Sequence, residues 1–254
     1  VGKHSRFEED SLVGRLWEKT KDYFRLDEID RFMHQKEPWL QIHNTHYRRA
    51  RRNLVRVILE TKSQSKQLTG VRLDGGHRIL TGYDLLPRYP INNGFRVTCQ
   101  LPNGVAFTIP RKNIVQEEYK YVTSFFVPQE HIRYAPRIQF AQQGGVKGEQ
   151  VHIVHTTPAH HLYPTKPRMQ QYTTEITTKF PSYYQPLDES KFFALRQSIP
   201  DTAIGGLVVN NDREVIGMIV ERERVINRSG GEMQGNTCIA LRSSEIKEYL
   251  RSTS

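Results

Sequence analysis

Cysteine is scarce in this chain. Only Cys99 and Cys238 occur among 254 residues, so no disulfide framework can hold the fold together. Both stand in strand-like apolar stretches, which reads as two buried free thiols and favours a reducing compartment. No run of about 18 apolar residues exists, which excludes a membrane-spanning helix. Metal-ligand spacing is lacking as well. His152 and His155 alternate out of phase along a strand-like segment, and His160 and His161 are adjacent with no cysteine or carboxylate at ligand spacing. No metal and no cofactor is therefore expected. Acid is in short supply, with 27 Asp and Glu against 37 Lys and Arg, a net charge of +10 and a pI near 9.6. Such an excess points to a polyanionic neighbour, nucleic acid before anionic lipid, with a plain solvated basic surface as the alternative. The sequence opens on Val1 without a signal-peptide pattern, a start compatible with a targeting segment already removed.

What is present divides in two. Residues 1–46 carry helical signals. Asp10 and Ser11 can cap a helix in which Leu12, Val13, Leu16, Trp17, Thr20, Tyr23 and Phe24 share a face. A second short helix from Asp27 presents Ile29, Phe32 and Met33 and stops at Pro38. So aromatic a stripe must be covered, either by the rest of the chain or by another protein. On the second reading Leu12, Leu16, Trp17, Tyr23, Phe24 and Phe32 are the partner-binding residues.

From residue 47 the signals turn to β. Residues 47–57 first hold Arg48, Arg49, Arg51, Arg52 and Arg56 without one acid, beside Tyr47. Guanidinium forks match phosphate oxygens, so these arginines are the leading nucleic-acid candidates, against a solvated charged face. Strand-like runs follow at 54–60, 68–73, 79–81, 151–155, 173–178, 207–209 and 215–220, separated by turns such as Asp74-Gly75, Asn103-Gly104 and Asn210-Asn211-Asp212. A last helix from Ser243 or Ser244 carries Ile246, Tyr249 and Leu250. Between 156 and 186, Lys166 and Arg168 mix with His160, His161, Tyr163, Tyr172, Tyr183 and Tyr184, a basic-aromatic mixture that suits RNA contact or ordinary loop packing.

One stretch is more specific. Residues 199–209 read Ile-Pro-Asp-Thr-Ala-Ile-Gly-Gly-Leu-Val-Val, and after the turn come Val215-Ile216-Gly217. This resembles the nucleophile segment of the HtrA/Deg family of chymotrypsin-fold serine proteases, with Ile204 at the serine position. Residues 76–86, containing Arg78-Ile79-Leu80-Thr81, are similar to that family's segment around the general base, and the histidine position falls on Asp84. The hairpin over 95–107 resembles the one preceding the family's aspartate, which falls near Tyr121. Residues 235–246 are similar to its last strand and closing helix.

The resemblance covers roughly residues 47–252 and implies a mainly β fold of two six-stranded antiparallel barrels. The expected organisation is a helical extension over 1–46, a first barrel about 47–128, a second about 138–242 and a closing helix about 243–252. A triad needs a nucleophile, an imidazole and a carboxylate. Asp84, Tyr121 and Ile204 supply none of these in the required place, so the resemblance implies a pseudoprotease without catalytic residues. The expected role is a structural subunit of a large assembly, in contact with other proteins and with RNA through Arg48, Arg49, Arg51, Arg52, Arg56, Lys166 and Arg168. By analogy with enzyme-derived proteins in organellar ribonucleoproteins, the expected location is the mitochondrion, in a particle such as its ribosome. The alternative is a peptide-binding or chaperone-like module using the cleft between the barrels. The resemblance leaves a homotrimer open, and nothing in the sequence supports one.

Overall fold

Strict alternation shapes the first strand. In β1 (Leu54–Glu60), Val55, Val57 and Leu59 enter one core while Leu54 and Arg56 take the opposite face, and both faces are buried. A computed structural model describes residues 52–62, 65–82, 96–116, 121–159, 166–178, 180, 188–226 and 228–253. The helices read over 1–46, with Leu12, Leu16, Trp17, Tyr23, Phe24 and Phe32, lie outside the described residues, as do Arg48, Arg49, Arg51 and Asp84.

β2 (Ser65–Leu73) pairs antiparallel with β1, placing Thr69 opposite Arg56 and Val71 opposite Leu54. β3 (Arg78–Gly82), β4 (Arg96–Gln100), β5 (Ala106–Ile109), β6 (Ile114–Gln116) and β7 (Val122–Phe126) complete a sheet in the order β5-β4-β1-β2-β3-β7-β6. The first barrel thus has seven strands and is nearly closed, where six were expected. Pro110 lacks an amide to continue β5, and the 3-10 turn Arg111–Asn113 sends the chain on to pair with β7 instead. The two edge strands are consecutive in sequence, so the ends of the sheet stand near each other.

The second unit is a closed six-stranded barrel, β10-β13-β12-β11-β8-β9, as expected. Its strands are β8 (Gln150–Thr156), β9 (Met169–Thr177), β10 (Phe192–Leu195), β11 (Leu207–Val209), β12 (Val215–Ile226) and β13 (Glu232–Arg242). Val151, Ile153, Phe193, Leu195, Ile216 and Cys238 fill it. Cys99 lies in the first core, and burial pushes both free thiols well above the ordinary range.

A third apolar cluster joins the barrels. Leu54, Val71 and Leu80 come from the first, Val154, Leu207 and Met218 from the second, and Ile246 and Tyr249 from the helix α1 (Ser243–Ser252). Tyr249 Oη lies 2.7 Å from Ser124 Oγ of β7, and the Arg78 guanidinium donates to both Oγ1 and the carbonyl of Thr253. The final helix therefore clamps the first barrel to the second, which fixes the seam between them.

Candidate functional site at the inter-barrel seam

The turn before β11 is built by Pro200 and a 3-10 turn over Asp201–Ala203. The Ala203 amide donates to the Pro200 carbonyl and the Ile204 amide to the Asp201 carbonyl, each at 3.0 Å. Ile204 is fully buried, and its side chain belongs to the first barrel's core, with Val55, Val57, Leu68, Ile79 and Phe125. An isoleucine from a second-barrel turn thus plugs the first barrel. Gly82 gives it room: a Cβ there would stand 2.7 Å from Ile204 Cγ2. Burying such a side chain stabilises by roughly 1.5–3 kcal/mol.

Polar bonds close the seam around this plug. Thr69 donates its amide to the Ile204 carbonyl at 3.0 Å and its Oγ1 to the Thr202 carbonyl at 2.6 Å. The same Oγ1 accepts the Thr156 amide at 2.9 Å, and Thr81 Oγ1 donates to the Thr69 carbonyl at 2.6 Å. Gln67 and Ala159 exchange two further bonds across the barrels. Arg56 corrects the reading of a phosphate-binding run. It is wholly buried, its Nε and Nη2 donate to the Thr157 carbonyl at 3.0 and 2.9 Å, and Nη1 donates to Gln100 Oε1 at 2.6 Å. The face of β1 that alternation offers to solvent is covered by the second barrel, and the guanidinium is an inter-barrel staple.

Of the other residues singled out in the sequence, Tyr121 stands just before β7 with φ of 58°, exposed and edge-on to Phe192 at 4.7 Å. It carries no carboxylate. Arg52, Lys166 and Arg168 are exposed cations. Lys166 packs over the Gly104 turn, and the Arg168 carbonyl accepts the Thr157 amide, so both lie by the mouth of the seam near the Arg56 staple. Arg52 is elsewhere, its carbonyl bonded by Arg72. Among the described residues no cluster of three His, Cys, Asp or Glu is placed to hold a metal.

The two histidines of β8 face opposite sides, and both are internal. His152 Nε2 donates to Asn211 Oδ1 at 3.0 Å, leaving Nδ1 to accept from Thr173 Oγ1. His155 Nδ1 donates to the Thr156 carbonyl at 2.8 Å, its ring stacks on Tyr172, and Nε2 is buried with no hydrogen-bond partner among the described residues. Sequence reading missed this role, because the two-residue period assigns a side chain to a face without saying what covers that face. Desolvation lowers the His155 pKa below its ordinary 6.5, outweighing the bond to Thr156. An unfolded chain takes up the proton at the ordinary value and the folded one resists it, so stability present above pH 6.5 is lost as the pH falls through the folded pKa. Urea midpoints measured above and below that pH should therefore drop on the acid side, and His155→Phe should remove part of the drop. An unchanged slope in the variant would assign the loss to other groups.

With this geometry in place, comparison with solved structures identifies the fold. It is that of the HtrA-type, trypsin-like serine proteases. The HtrA-type protease AlgW, solved with a tripeptide, superposes with a TM-score of 0.58 at 14% identity over 82% of this chain and 62% of AlgW. An inactive serine-to-alanine mutant of Rv3671c from M. tuberculosis H37Rv gives 0.57 at 15% identity, over 85% and 93% of the two chains. The serine endoprotease from Yersinia pestis gives 0.55 at 16%, over 82% and 65%. The chain thus spans about three-fifths of the AlgW structure's length. No family model and no curated protein sequence matches it.

Proposed function

We propose that this chain is a non-enzymatic pseudoprotease that acts as a structural subunit of a large ribonucleoprotein, such as the mitochondrial ribosome. The observation that carries the reading is Ile204, buried as a cross-barrel plug in the turn that the sequence resemblance gives to the nucleophile. Its side chain offers no atom that can attack a carbonyl, and its amide is spent within the 3-10 turn. A fold held this way serves as a scaffold, and the charge of +10 supplies attraction to RNA. Arg48, Arg49, Arg51 and Arg52 are the leading phosphate contacts, with Lys166 and Arg168 as a second group. Arg56 is left out because its guanidinium is already bonded inside. Residues Leu12, Leu16, Trp17, Tyr23, Phe24 and Phe32 are assigned to protein partners.

Co-sedimentation of the endogenous protein with and without RNase tests this, with mass spectrometry of what travels alongside. A large RNase-sensitive particle is expected. Replacing Arg48, Arg49, Arg51 and Arg52 by alanine should then weaken RNA binding and flatten its logarithmic salt dependence by about three to four, near one for each phosphate contact. Migration as a free monomer or trimer would sink the reading.

A further inference from the structure

A groove of about 940 Å³ lies between the inter-barrel connection and α1. Its floor is apolar. Leu73 of β2, Ile138, Phe140 and Leu250 line it, the last three half-buried against the core that joins the barrels. Its rim is cationic, with Arg137 and Arg251 exposed and Lys247 half-buried. Lys247 Nζ donates one bond, to the Ala141 carbonyl at 3.1 Å, which leaves two further protons to offer. Among the described residues the lining holds one carboxylate, Asp74, and Arg78 Nε lies 3.4 Å from it. Tyr134 extends the apolar surface at one end and is 81% exposed.

The walls are fixed from behind. Asn53 Nδ2 donates to the Pro136 carbonyl at 2.7 Å, and the Ala135 amide bonds to the Gly75 carbonyl. The Val215 amide bonds to Gln139, and the Ala141 amide returns to Val215, both at 2.9 Å. A groove held open by its own backbone costs a ligand little ordering on arrival.

We propose that this groove docks an acidic amphipathic segment of another protein. Apolar side chains of the segment would rest on Leu73, Ile138, Phe140 and Leu250, and its carboxylates would meet Arg137, Lys247 and Arg251. Charge complementarity selects an acidic ligand, with three rim cations against one carboxylate already paired. The floor then decides between peptide and nucleic acid. Bases bind by stacking on exposed flat aromatic faces, whereas three of the four floor side chains, Leu73, Ile138 and Leu250, are aliphatic and the Phe140 ring is half-buried, which suits leucine-like anchors instead. The groove shares no lining residue with the Ile204 and Arg56 contacts, and the proposal stands whether or not the ribonucleoprotein reading holds.

Fluorescence anisotropy on the full chain tests it with three labelled probes: a short helical peptide of glutamate and leucine, an equally charged peptide of glutamate and serine, and a single-stranded RNA oligonucleotide. The glutamate–leucine peptide is expected to bind at least about tenfold more tightly than the serine one, a gap of about 1.4 kcal/mol. The double variant Arg137→Glu, Arg251→Glu, made at exposed positions that leave the core untouched, should weaken it by tenfold or more. Tyr134→Ala should weaken it less, without altering the thermal midpoint. Equal binding of the two peptides, or binding indifferent to the charge reversals, would overturn the proposal. So would RNA binding that the double variant abolishes while peptide binding survives.

Discussion

Alanine at Gly205 is expected to destabilise the domain by about 4 kcal/mol or more, a loss reserved for a few mechanisms such as backbone strain and overpacking. Two costs combine. Gly205 has φ of +84°, a left-handed conformation that costs a side-chain-bearing residue roughly 1–2 kcal/mol. The added Cβ would also stand 1.9 Å from the Thr69 carbonyl oxygen and 2.5 Å from Thr81 Oγ1. Neither neighbour can retreat. Thr69 sits within β2, its carbonyl accepts from Thr81, and its amide and hydroxyl hold Ile204 and Thr202. The turn cannot retreat either, since the Gly205 amide donates to Ile219 at 2.7 Å. Relief would require the barrels to part at the seam. Gly230→Ala separates the two costs, since φ there is +81° and nothing stands within 4 Å of the added carbon. That variant should lose only the conformational part. Urea midpoints for the pair settle the matter: a Gly205→Ala loss no larger than that of Gly230→Ala would show that the seam yields easily.

How much of this was legible in sequence follows from what each pattern encodes. β1 falls on the residues expected, 54–60, because alternating Leu, Val and Ile fix both the strand and its core face. The closing helix begins at Ser243 as expected, with Ile246 and Tyr249 on its buried side. The order of the short motifs gave the two-barrel fold, and the solved structures bear out that coarse likeness. Other features were hidden, β10 (Phe192–Leu195) among them. β12 was read to residue 220 and runs to Ile226, since Glu221 to Arg224 carry charge at every position. Two of those charges are held locally: Arg222 Nε meets Asp201 at 2.5 Å, and Glu223 accepts from the Asn236 and Thr237 amides. β6, Ile-Val-Gln directly after the Pro110 break and the 3-10 turn, was hidden because so short a run has no turn signal or resemblance to mark it, as β11 had. Arg56 was misread because alternation within one strand cannot register a second barrel lying on its polar-looking face. Only the Arg56 contacts to Thr157, 101 residues away, reveal the staple.

Restoring the missing side chains should not restore a protease. On the proposed reading, the double variant Ile204→Ser, Asp84→His cleaves no peptide at a detectable rate, for reasons that lie around the side chains. The oxyanion in this chemistry is held partly by the amide of the nucleophile residue itself. That amide donates to the Asp201 carbonyl here. One oxyanion donor is worth about 10² to 10³ in rate. Tyr121 offers no carboxylate to orient a new histidine, a role worth about 10⁴. The new serine hydroxyl would also point into the first barrel's apolar core, where Ile204 Cγ2 now packs over Gly82. Loss of the isoleucine alone should cost about 2–5 kcal/mol, as for other large-to-small core changes. Inactivity must therefore be separated from unfolding. Ile204→Val, which keeps the plug and removes one methylene, should cost only about 0.5–1.5 kcal/mol and leave the seam intact. Circular dichroism and thermal midpoints for both variants, with hydrolysis of a fluorogenic peptide by the double variant, make the comparison. A folded double variant that cleaves efficiently would show that the turn can still reopen into a catalytic site. A folded one that does not would place the barrier outside those two side chains, in the backbone of residues 201–206 held by the 3-10 turn and Thr69 and in the carboxylate missing at Tyr121.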